Sequence, residues 1–123
     1  MSPTDMSAAF RSRSSWYRQL VAMFNDYDYL VLPATQVFPF SATETWPRSI
    51  NGAQMDTYHR WMENMLPATL AGAPAISVPA GFNDHGLPFG LQIIAAPYKD
   101  RQLLNLSRLY GDVADYAMRR PLS

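Results

Sequence analysis

"GAPAISVPAG", Gly72 to Gly81, holds one serine between two β-branched residues, with prolines at 74 and 79 and a glycine at each end. Two readings compete for it. In one, Ser77 is the nucleophile of a catalytic loop. In the other, it is a polar side chain on a packed strand. Proline lacks the N–H that a strand interior must donate, so Pro74 and Pro79 bracket a strand. Ile76 and Val78 then share one face and Ser77 takes the other. A nucleophile elbow has the form Gly-x-Ser-x-Gly, and no serine here sits in one. A triad also needs a base and a group that orients it. His59 or His85, with Asp56 or Asp84, supply those residue types and no more. The strand reading is favoured, with the Ser77 hydroxyl bonded to a backbone group or a neighbouring strand.

Reading outward, "FNDHGLP" (82–88) is a turn, with Gly86 suited to a positive φ. Phe89 to Ala95 is a second strand. Phe89, Leu91, Ile93 and Ala95 share one face, and Gly90, Gln92 and Ile94 the other. The two strands pair as a long-looped hairpin. Gln92, if buried, must satisfy backbone groups. Asp100 is expected to cap a last helix with apolar positions Leu103, Leu106, Tyr110 and Val113. Gly111 inside that helix costs about 1 kcal/mol relative to alanine.

Upstream of the hairpin, Asp56-Thr57 offers an N-cap for a helix carrying Tyr58, Trp61, Met62 and Met65. Pro67 should kink this helix or start a second short turn. Gly72 followed by Pro74 ends it. Tyr29 to Leu32, closed by Pro33, fits a strand buried on both faces. Residues 34–55 read as one long irregular loop, a type that often carries function. Its aromatics Phe38, Phe40 and Trp46 could line an apolar pocket or simply cover a sheet edge. The first helix is expected from about Ala8 to Asn25, with Trp16, Leu20 and Met23 on its stripe and residues 1–8 frayed.

The chain is therefore read as one α/β unit over 1–123, with a mixed sheet of at least three strands and three main helices. Such a sheet is thin, and its apolar strands call for more neighbours.

Composition removes several functions. Ten basic and ten acidic residues cancel, which disfavours nucleic acid and anionic membrane as partners. Arg119-Arg120 is too short a basic run to change that. No cysteine is present, so thiolate catalysis and cysteine-ligated metals are excluded. His59 and His85 form no His-x-x-x-His pair, so no metal site is expected, and no glycine-rich phosphate cradle occurs. No cofactor is expected. The N-terminus has no apolar h-region, and the expected location is cytoplasmic.

Three stretches together carry a family resemblance: "DYDYLVLPATQ" (26–36), "NGAQMDTYHRWMENMLPATLAGAPAISVPAGF" (51–82) and "GLPFGLQIIAAPYKDRQLLNLSRLY" (86–110). Their order and spacing resemble the C-terminal region of the amidase signature family. The matching positions are Gly72, Pro74, Ala75, Ser77, Pro79 and Gly81, then Gly86, Leu87, Pro88, Gly90, Leu91 and Gln92. The resemblance implies a fragment of the amidase fold and an enzyme class that hydrolyses amide C–N bonds. Family members use a serine nucleophile, a second serine on a cis peptide and a lysine. Those residues belong to segments with no counterpart here, and the chain's one lysine, Lys99, lies in the wrong context. No catalytic residue is carried over.

The expectation is thus the C-terminal portion of an amidase, inactive alone, whose small-molecule amide substrate is met only in the intact enzyme. Phe38 and Trp46 are the candidate pocket-lining residues. The alternative is a non-catalytic interaction module that self-associates, or pairs with a complementary amidase fragment, through an exposed sheet edge.

Overall fold

The structure, a computed structural model, describes residues 2–114 and Tyr116. Its elements in chain order are α1 (Pro3–Met23), β1 (Tyr29–Pro33), β2 (Ser49–Ile50) and β3 (Ala53–Gln54). A 3₁₀ turn (Arg60–Met65), α2 (Leu66–Ala71), β4 (Ala75–Phe82), β5 (Pro88–Ala95) and α3 (Asp100–Ala114) follow. Arg119-Arg120 lies outside the described residues.

The β4–β5 hairpin is the centre of the fold. β5 runs between β1 and β4, and both pairings are antiparallel. Ser77 stands opposite Gln92, and Val78 opposite Leu91. The turn is held by a side chain that the motif reading passed over. Asn83 Oδ1 accepts from the backbone N–H groups of His85 and Leu87, at 3.0 and 2.9 Å. Gly86 adopts φ 75°, as the turn requires.

Pro79 lies within β4 rather than closing it, because the strand continues to Phe82. Two features tolerate it. β4 is an outer strand of this sheet, and a register irregularity falls between Pro79 and Gly81.

The two faces of the sheet are covered differently. Val78, Ile93 and Ala95 pack with Leu103 of α3, and Tyr29, Ile76, Leu91, Leu106 and Tyr110 border this cluster. Tyr110 also donates its hydroxyl to the Pro79 carbonyl at 2.9 Å. On the other face, buried Gln92 donates to the Asn64 carbonyl at 3.1 Å, and Asn64 Nδ2 donates to the Pro33 carbonyl at 2.7 Å. These bonds hold the 3₁₀ turn over β5 and the end of β1. They also supply the backbone partner expected of Gln92. Helix α1 is tied to α2 by Trp16 Nε1 on the Pro67 carbonyl and Arg13 Nε on the Leu70 carbonyl.

Several local expectations are corrected. Residues 3–8 are helical rather than frayed: the helix starts at Pro3, inside a capping box made by Ser2 and Asp5. No α-helix starts at Asp56-Thr57. Pro67 has no N–H to donate to Glu63, so a continuous α-helix would be broken there. The segment forms a 3₁₀ turn instead, and Pro67 falls in the first turn of α2. Gly72 ends α2 in the left-handed conformation, φ 63°. The 34–55 loop contains the small β2–β3 hairpin, whose Asn51-Gly52 turn has φ 48° and 81°. Strand β1 is not buried on both faces: Val31 is 50% exposed, because α3 lies over β4 and β5. Asp100 is the first residue of α3 and stands in its first turn rather than before it.

No helix among the described residues is long and apolar enough to cross a membrane.

Candidate functional site

The cavity of interest opens where three small residues meet at one level of the sheet. A Cβ added to Gly90 would lie 3.1 Å from Ser77 Oγ, 3.2 Å from Ala34 Cβ and 3.3 Å from the Val78 carbonyl oxygen. Ala34 N–H donates to the Gly90 carbonyl at 2.8 Å, which extends the β1–β5 ladder by one bond. Small side chains on neighbouring segments leave a hollow, and larger ones rise around it.

The hollow has a volume of about 510 Å³, within the range of small-molecule sites. Phe38, Phe40, Trp61 and Phe89 form its aromatic walls. Phe38 and Phe89 are tilted at 43° with ring centres 5.3 Å apart. Phe40 meets Trp61 edge-on at 5.6 Å. Both geometries are favourable for aromatic pairs. The loop after β1 is pinned in place by Gln36, whose Nε2 donates to the carbonyls of Arg60 and Trp61 at 3.0 and 2.7 Å.

The polar side chains at the hollow are Thr35, Ser77 and Trp61, and the buried Trp61 Nε1 has no hydrogen-bond partner among the described residues. Thr35 Oγ1 is engaged with the Val37 carbonyl at 2.7 Å. Ser77 is exposed on the wall, and its hydroxyl makes no hydrogen bond among the described residues. The bonded structural hydroxyl expected for Ser77 is therefore not what the structure contains. Among the described residues, no Asp, Glu, Lys, Arg or His lines the hollow. No group of three or more His, Cys, Asp or Glu able to hold a metal occurs among the described residues.

The candidate residues separate. Phe38 lines the hollow. Trp46 is placed elsewhere: its Nε1 donates to the Met55 carbonyl at 3.1 Å, the Arg48 guanidinium stacks 4.2 Å above its ring, and Tyr58 meets it edge-on at 6.1 Å. It braces the β2–β3 hairpin against the following turn. His59 and His85 are both exposed, and neither reaches Ser77's cavity, so no described residue supplies a base to that serine. The walls contributed by Trp61 and Phe89, and the floor at Gly90, were not singled out from sequence as a site. The available signal was the alternation that puts Ser77 and Gly90 away from the core face of their strands.

The hairpin, its flanking elements and their ordered glycines and prolines define the class, and comparison with known proteins agrees. The amidase family pattern matches residues 2–104, and the chain belongs to that family. Relatives include a glutamyl-tRNA(Gln) amidotransferase subunit of Brevibacillus brevis, 33% identical over 102 residues, or 81% of this chain and 19% of that protein. The corresponding protein of Symbiobacterium thermophilum is 37% identical over 120 residues, or 92% of this chain and 23% of that protein. Among solved structures, a bacterial aryl acylamidase of the amidase signature enzymes superposes with a TM-score of 0.84 at 26% identity, covering 99% of this chain and 26% of the other. The Thermotoga maritima member of the same glutamyl-tRNA(Gln) amidotransferase group gives a TM-score of 0.72 at 26% identity, over 90% of this chain and 23% of the other. The chain thus spans about a fifth of the length of the curated relatives it matches, in their C-terminal part.

Proposed function

We propose that this chain is the C-terminal portion of an amidase that hydrolyses amide C–N bonds, and that it supplies a substrate-pocket wall rather than the reacting groups. The observation that supports this best is the uncharged aromatic hollow at Ser77 and Gly90, formed in part by the residues that carry the family motif. Phe38 is a wall residue in this reading. Trp46 acts at one remove, by holding the segment that leads into the 3₁₀ turn. Covalent catalysis needs an activated nucleophile. No described residue places a base within the Ser77 cavity, so the chain alone is expected to be inactive.

The test is ammonia release from simple aliphatic and aryl amides by the purified chain. The expected result is none above background. Turnover that disappears in Ser77→Ala would overturn the reading and restore Ser77 as a nucleophile.

A second reading is favoured by one observation. β1 and β4 are the outer strands of the sheet formed by the described residues, and Val31 on β1 is half exposed. Such edges pair readily with other strands. Under this reading the chain is an interaction module that meets a second copy or a complementary amidase segment. A monomer at all concentrations in light scattering, alone and with that segment, would argue against it.

A further inference from the structure

We propose that the hollow at Ser77 and Gly90 takes the aromatic ring of an uncharged amide, with the amide group turned toward the Ser77 hydroxyl. The choice of an amide rests on the function proposed above; the aromatic slot rests on the cavity alone.

Three observations carry the inference. First, the walls are rings. Phe38 with Phe89, and Phe40 with Trp61, stand as two aromatic pairs along the hollow. A flat ring entering between them gains edge and face contacts that a saturated ring of equal size does not. Second, no ionisable side chain among the described residues lines the hollow. A charged ligand would give up part of its hydration there without meeting an opposite charge. Third, the polar side-chain groups of the lining are three. The Thr35 hydroxyl is already committed to the Val37 carbonyl, whereas the exposed Ser77 Oγ and the buried Trp61 Nε1 have no partner among the described residues. A hydroxyl can both donate and accept, which matches the carbonyl and N–H of an amide group.

Gly90 sets the depth. Its missing Cβ leaves Ser77 Oγ and Ala34 Cβ at the floor, at 3.1 and 3.2 Å from where that carbon would sit. A side chain at 90 would fill the floor and crowd the hydroxyl.

The experiment is amide-resolved NMR titration of the full chain with benzamide, cyclohexanecarboxamide, benzoate and toluene. Benzamide is expected to give saturable shifts at Phe38, Ser77, Gly90 and the Trp61 indole. Cyclohexanecarboxamide should bind about three-fold or more weaker, from the loss of ring contacts. Benzoate should bind about ten-fold or more weaker, because its charge gives up part of its hydration without an opposite charge to meet. Ser77→Ala should weaken benzamide about two- to ten-fold, the effect of one neutral hydrogen bond. It should leave toluene, which has no amide, unchanged. Gly90→Val should weaken both. Equal binding of benzamide and cyclohexanecarboxamide, benzoate bound as tightly as benzamide, shifts scattered away from these residues, or no binding at all would each overturn the proposal. None of these results touches the amidase reading, which is decided by activity after assembly with the catalytic segment.

Discussion

Gln92 shows how one side chain joins two layers. It is 8% exposed on the central strand, and its amide donates to the Asn64 carbonyl. Replacing it by leucine leaves that carbonyl without its donor, a cost of about 1–3 kcal/mol when the group is buried. Gln92→Leu is therefore expected to lower the urea midpoint of unfolding with little change in slope. An unchanged midpoint would mean that water replaces the amide freely. Gln92 was legible because a buried amide on an otherwise apolar strand must find a partner, although the identity of that partner was not. Ser77 was half legible. Its strand and face follow from alternation with Ile76 and Val78, but whether its hydroxyl is engaged depends on what stands across the sheet. Gln92 stands there, but its amide donates to the Asn64 carbonyl, and the small neighbours Gly90 and Ala34 offer no polar side-chain atom.

At the level of elements, structure was legible where punctuation and periodicity agreed and hidden where a short-range chemical detail decided the outcome. The β4–β5 hairpin follows from two alternating runs around an Asn-Asp-His-Gly turn. The helix start at Pro3 was missed because Ser2 and Asp5 form their box in a stretch without apolar periodicity. The β2–β3 hairpin was missed although Asn51-Gly52 is a strong turn signal, because its strands are only two residues long. The 3₁₀ turn is the cost of placing Pro67 where a continuous helix would need its N–H. Trp46 was legible as an aromatic in a long loop, but its place depended on that unseen hairpin.

The α1 cap makes a pH prediction. Hydrogen bonds from the Ser2 backbone and side chain hold the Asp5 carboxyl below the usual aspartate range. A lowered folded-state pKa contributes stability above the unfolded value, and that contribution is lost as pH falls through the lower folded value. Amide exchange in the first turn of α1 is thus expected to show increasing fraying below about pH 4. In Asp5→Asn the fraying should be present already near neutral pH and should not deepen with acid. A first turn equally protected at all pH values in the wild-type chain would contradict the cap.

At the scale of the molecule, the described residues make a thin sheet with helical segments on both faces and a good deal of apolar surface left open. Phe10 on α1, Val31 on β1, and Leu104 and Val113 on α3 are 61%, 50%, 60% and 85% exposed. Contiguous apolar surface and free strand edges mark places where other chain packs. The overall class was legible because the family motif sits in the hairpin that organises the sheet. The pocket was only partly so, because its walls come from segments far apart in sequence: Phe38 and Phe40, then Trp61, then Ser77 to Gly90. Under the proposed function, this chain completes an amidase whose reacting groups lie on another segment. The most direct measurement is ammonia release after mixing the chain with an upstream amidase segment that carries the serine, cis-serine and lysine. The expected result is no release from either part alone and turnover from the mixture, reduced when Gly90 is replaced by valine. A mixture that forms a stable complex yet stays inactive, or a lone chain that turns over amides, would contradict it.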